Sequence, residues 1–89
     1  MMLSPLHVAM ADDDYIEAKR LLDSGEILSL EVILKKVRQI FPGKVLEVEL
    51  EKEDEQIVYE IEILGGNGVI KEIYIDAKTG KLLLTKEDD

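Results

Sequence analysis

The stretch Val45-Leu46-Glu47-Val48-Glu49-Leu50-Glu51 decides how the rest of the chain is read. Apolar and acidic residues alternate strictly, and a period of two is the mark of a β-strand with one face toward a core and one toward water. On this reading Leu46, Val48 and Leu50 share the core face, and Glu47, Glu49 and Glu51 share the other. Residues 57–63 repeat the pattern, with Ile57, Tyr59, Ile61 and Ile63 on one side. Glu53-Asp54-Glu55 makes a charged turn between the two strands. Gly65-Gly66-Asn67-Gly68 then supplies residues that tolerate positive φ, a hairpin signal in which Asn67 and Gly68 are the turn formers. A third strand is expected over 69–76 and a short fourth over 81–85, leaving 87–89 to fray.

Upstream of residue 44 the period changes. Leu30, Ile33, Leu34, Val37, Ile40 and Phe41 follow helical spacing, Ser29 can cap the first turn, and Pro42-Gly43 ends the run. Lys35, Lys36, Arg38 and Gln39 occupy the opposite side. An earlier and weaker helix runs from Asp12 to Ser24-Gly25, with Tyr15, Ala18 and Leu22 in register and Ile16 and Leu21 beside them. Two helices followed by an antiparallel meander of three to four strands predict an α+β domain, with helix packed on one sheet face.

Asp76-Ala77-Lys78-Thr79-Gly80 falls between the last two strands, where the chain must reverse. An aspartate accepts hydrogen bonds from backbone N–H groups two residues on, and a glycine takes the left-handed conformation that returns the chain. Asp76 and Gly80 are therefore read as turn chemistry, against the alternative of a site built on Asp76 or Thr79.

Composition narrows the function classes. The chain has 89 residues, 46% of them hydrophobic, enough for one core in a single domain over 12–86. Its 20 acidic and 11 basic residues give a formal charge of -9. That balance repels nucleic-acid backbones and anionic lipid heads. No stretch reaches the ~20 apolar residues of a membrane span. Cysteine is absent, which removes disulfides and thiol chemistry, and His7 is the one histidine, which weakens every triad or metal-site reading. No cofactor and no catalytic residue is expected. Ala9-Met10-Ala11, followed by three aspartates, has the small-x-small form of a signal-peptidase site, so residues 1–11 are read as a signal-peptide remnant or a disordered N-terminus, and the protein as periplasmic or secreted.

The helix ending Phe41-Pro42-Gly43, the strand over 45–51, Val58-Tyr59-Glu60-Ile61-Glu62-Ile63, Gly68, Glu72-Ile73-Tyr74-Ile75 and Asp76-Ala77-Lys78-Thr79-Gly80-Lys81-Leu82-Leu83 together resemble the PepSY family over roughly residues 29–84. PepSY domains occur in propeptides of thermolysin-type metalloproteases, in a spore-cortex germination protein and as small exported bacterial proteins. The resemblance implies a helix on an antiparallel sheet, a place outside the cytoplasm, and a role in restraining peptidases. It brings no catalytic residues.

The solvent face of the sheet is where a partner is sought. Glu47, Glu49, Glu51, Glu60, Glu62 and Glu72 share the outward parity with Val58, Leu64, Ile70, Tyr74 and Leu83, if no bulge intervenes. If contiguous, the five apolar residues would form a protein-contact patch. Three outcomes stay open: a regulatory contact with a peptidase or an envelope signalling protein, a homodimer formed through the sheet, or a cation held by the glutamates. The acidic set lacks the loop spacing of a calcium site.

Overall fold

The computed structural model describes residues 8, 9 and 12–88. Most of the cleavage-like Ala9-Met10-Ala11, together with His7 and Asp89, lies outside them. The chain runs β1 (Val8–Ala9), α1 (Asp12–Asp23), α2 (Leu30–Ile40), β2 (Lys44–Glu53), β3 (Gln56–Leu64), β4 (Ile70–Asp76) and β5 (Leu82–Asp88). Two helices followed by a four-stranded antiparallel sheet make this an α+β domain, as its periodicity predicts. The sheet order is β1-β2-β3-β4-β5, and the two-residue β1 lies parallel to β2 with Val8 opposite Val48. That strand was not expected from sequence, because two residues carry no period.

Local chemistry fixes the element ends. The Ser29 hydroxyl accepts a hydrogen bond from the Val32 N–H at 3.3 Å, satisfying one orphan donor of α2. At its other end the Phe41 N–H closes on Val37 O at 2.7 Å. Gly43 follows because nothing larger fits: a Cβ there would lie 2.5 Å from the Leu64 carbonyl oxygen and 2.7 Å from Ile63 Cγ2. The β2–β3 reversal takes only Asp54 and Glu55, and Asp54 reaches a left-handed φ of 55° that aspartate tolerates better than most residues.

One cluster holds the buried residues of both layers. From the helices come Ala18, Leu21, Ile33, Leu34 and Val37; from the sheet come Val48, Leu50, Tyr59, Ile61, Ile63, Ile73 and Ile75. Ile33, Ile61, Ile73, Val37 and Val48 are completely enclosed. Each such side chain contributes roughly 1.5–3 kcal/mol of burial, as an upper bound.

Several residues fall where alternation does not put them. The β2–β3 register shifts between Val45 and Glu47, so Leu46 is turned out to solvent and Val45 packs against the core in its place. A bulge inserts one extra residue and flips the faces beyond it. A second shift between Tyr74 and Ile75 sets Leu84, not Leu83, opposite Tyr74. On the helices Ile40, Ile16 and Leu22 are exposed, so the buried stripes are narrower than the spacing suggests. Where the sequence reading stops the last strand at Thr85 and frays 87–89, backbone pairing with Lys71 and Ile70 carries it to Asp88.

The link between the helices is bonded to the sheet at two points. Leu28 N–H donates to Ala77 O at 2.8 Å, and Leu28 O accepts from the Tyr59 hydroxyl at 3.0 Å. Ala77 in turn donates to Ile57 O at 2.8 Å and is fully enclosed. Burial pushes the Tyr59 phenol pKa up, so it stays a donor at neutral pH. Replacing Tyr59 with Phe leaves the Leu28 carbonyl short of this donor. We expect a loss of about 1–2 kcal/mol, read as a lower urea midpoint at unchanged slope; an unshifted midpoint would count against this role for the clip.

Candidate functional site: the carboxylate face and the closing turn

Directly opposed residues of an antiparallel sheet share a face, so the register writes out the side away from the core. One row reads Glu49, Glu60, Tyr74, Leu84; the next reads Glu47, Glu62, Glu72, Lys86. Beyond the first row come Glu51, Val58 and Asp76, and beyond the second come Lys44, Leu64, Ile70 and Asp88. All six outward-parity glutamates are thus brought together across three strands.

Their environment is tense. Glu49, Glu51 and Glu60 each place a carboxylate oxygen within 4.8 Å of the others. Burial first, then the charges of Glu51, Glu49 and Glu72, push the Glu60 pKa up to about 7, helped by a hydrogen bond with Glu51. Glu49 is raised for the same reasons, burial ahead of Glu51 and Glu47. Tyr74 donates its hydroxyl to Glu72 Oε1 at 3.0 Å, and the Lys86 ammonium stands 5.6 Å from the Tyr74 ring centre. Burial and that hydrogen bond raise the Tyr74 phenol well above its ordinary value. Three close oxygens are fewer than the six to eight that calcium takes.

The five apolar residues sought as a contact patch are not brought together. Leu64 and Ile70 face each other, half-buried, at one end. Val58 lies at the other end, buried at 7% exposure, and Glu60, Glu62 and Glu72 intervene. Tyr74 is half-buried beside Leu84, a neighbour sequence reasoning missed; Leu83 occupies the bulge and is exposed. The run Leu82-Leu83-Leu84 hinted at this, but alternation cannot be phased through three identical residues.

The loop between β4 and β5 is held by its own atoms. Asp76 Oδ1 accepts from Lys78 N–H at 2.8 Å and Thr79 N–H at 3.1 Å, while Oδ2 accepts from Gln56 Nε2 at 3.3 Å. Burial pushes the Asp76 carboxyl up, but the bonds from Gln56, Lys78 and Thr79 outweigh it and hold the pKa below the ordinary value. Gly80 donates to Asp76 O at 2.8 Å with φ at 79°. Asn67 and Gly68 act alike in the β3–β4 loop: Asn67 Oδ1 accepts from Val69 N–H at 3.1 Å, and Gly68, φ 84°, donates to Gly65 O at 3.0 Å. Two tight hollows occur among the described residues. One lies between α1 and β2, lined by Ala18, Leu21, Leu50 and Ile57; the other lies among Glu47, Glu49, Glu60 and Glu62. They hold about 20 and 10 Å³, water-sized.

A helix and an antiparallel meander, closed by an Asp-x-x-x-Gly turn, are what the family comparison matches. The model for PepSY, described as peptidase propeptide and YPEB domain, covers residues 27–86. The chain belongs to the PepSY family. The match begins at Ile27, so it takes in α2 and nearly all of the antiparallel sheet and leaves α1 outside. PepSY is a peptidase-related protein-interaction domain, whose members are typically non-catalytic propeptide or regulatory modules and are generally found outside the cytoplasm. No curated protein and no solved structure matches the chain. No helix among the described residues is long and apolar enough to cross a membrane.

Gly80→Ala tests the turn of this PepSY domain. The new Cβ would meet Lys36 Cε at 3.1 Å and Leu28 Cδ1 at 3.2 Å, at a φ that L-residues disfavour. A loss of about 1–2 kcal/mol in denaturant unfolding is expected, chiefly from the backbone; melting like the parent would argue against a strained turn.

Proposed function

We propose that this PepSY domain is an exported regulatory module that acts by contact with another protein and carries out no chemistry of its own. The family match over residues 27–86 carries the reading. The geometry is in keeping with it: the carboxylates are spread over the side of the sheet away from the core, a surface that suits contact with another protein. The partner class is a secreted or envelope peptidase, or an envelope signalling protein. Tyr74, with the exposed Leu83 and Leu84 at the β4–β5 margin, is the contact we assign to it.

The test titrates the full chain into a secreted thermolysin-type metallopeptidase and follows cleavage of a fluorogenic peptide. Saturable slowing is expected, with the domain recovered intact by mass and the effect weakened in a Tyr74→Ala, Leu83→Ala double variant that still folds. Unimpeded cleavage, with the domain consumed as substrate, removes the peptidase-restraining reading.

A second reading rests on a separate observation. Leu82, Leu83 and Leu84 are 39%, 40% and 47% exposed on β5, which ends the sheet order. An apolar edge strand is a template for pairing, here with a second copy of the chain. Sedimentation should then give a dimer at micromolar concentration that Leu84→Lys dissociates; a monomer ends this reading.

A further inference from the structure

The outward face raises a question that protein contact does not answer. Glu60 lies on the central strand β3, and no cation opposes it on either neighbour: Glu49 stands across on β2 and Tyr74 across on β4. Along β2 it is flanked by Glu47 and Glu51, on β3 by Glu62, and on β4 by Glu72, whose carboxylate is already hydrogen-bonded by Tyr74. The described cation closest in register is Lys86 on β5, stacked over the Tyr74 ring. Carboxylates within 4.8 Å of one another on a partly desolvated face cannot all ionise without strong repulsion, and a shared proton relieves it.

We propose that the Glu49–Glu51–Glu60 group retains a proton in neutral surroundings, and that its loss as the medium turns mildly alkaline makes the domain both less stable and more acidic on its open face. The proton belongs to the group, whose carboxylate oxygens lie within 4.8 Å of one another. In the unfolded chain the strands separate, the carboxylates are hydrated, and Glu60 titrates near 4.5. The native state therefore binds more protons than the unfolded state between that value and about 7. Stability from this group is full below the lower value and is lost as pH rises through the upper one. Asp76 acts in the opposite sense, as does Glu17 on α1, whose carboxylate accepts from Lys52 Nζ at 3.0 Å and is held below its ordinary pKa by that bond. Their lowered pKa values add stability above the ordinary carboxylate range, which is lost on acidification. The opposed slopes put the stability maximum of these groups near the ordinary carboxylate range, with a decline as pH rises toward about 7.

The experiment follows thermal unfolding of the full chain from about pH 5 to about pH 8, beside a side-chain carboxyl NMR titration. The melting temperature should fall over that interval. One glutamate carboxyl should titrate with a midpoint near 7, and Glu60→Gln should abolish that titration and flatten the melting profile. Glu31→Gln, on α2 and away from the sheet, should keep the slope. If every glutamate titrates below about pH 5.5, or if Glu60→Gln leaves the slope unchanged, the proposal is overturned. Should that variant fail to fold, the titration of the parent chain decides alone.

Discussion

The backbone of Leu28, in the link between the helices, is hydrogen-bonded at both its N–H and its carbonyl to the strand-forming part of the chain. Its N–H goes to Ala77, at the reversal into the last strand, and its carbonyl accepts from Tyr59, in the middle of the sheet. Both backbone polar groups of this one residue are satisfied by residues far away in sequence. A free linker would leave Ser29 and α2 to find the apolar cluster by hydrophobic contact alone, which is strong but non-directional. The two bonds supply direction. Gly80 belongs to the same joint, since its missing side chain leaves room for Leu28 and the Lys36 stem.

The two sides of the sheet solve different problems with the same alternation. The core side is uniformly branched and aliphatic, with Ile61 and Ile73 fully enclosed, and Tyr59 turns its one polar atom to a backbone acceptor. Among the described residues no buried side-chain polar atom lacks a partner. The other side collects glutamates from adjacent strands, an arrangement that like-charge repulsion disfavours and that only hydration or protonation makes tolerable. A surface of this kind is ill suited to a packed homomeric core. The margin at β5 differs again, with leucines, a lysine and a bulge. The PepSY domain thus carries two chemically distinct surfaces, one acidic and one apolar.

Much of the fold was legible from residue order. The helical spacing of Ile33, Leu34 and Val37, the alternation from Ile57 to Ile63, and the punctuation at Pro42-Gly43 and Gly65–Gly68 each follow from local sterics and one-sided burial. The candidate site was legible only in part. Parity named the glutamates correctly, because β2 pairs with β3 without interruption from Glu47 onward and β3 with β4 throughout. Parity misplaced Leu46 and missed Leu84 as the neighbour of Tyr74, because each lies at a shift of register, and a bulge is set by how two strands twist against each other. Val58 read as outward and proved buried, and nothing in its own strand distinguishes it from Leu64.

The sequence by itself determined the element types, their order, the reversals and the excess of negative charge, since these depend on neighbours within a few residues. Only the tertiary structure decided which leucine stands beside Tyr74, that Leu28 joins Ala77 to Tyr59, and that three carboxylates from two strands come within reach of one proton. Those outcomes depend on register between strands, and register is a property of pairs of segments that no single segment encodes.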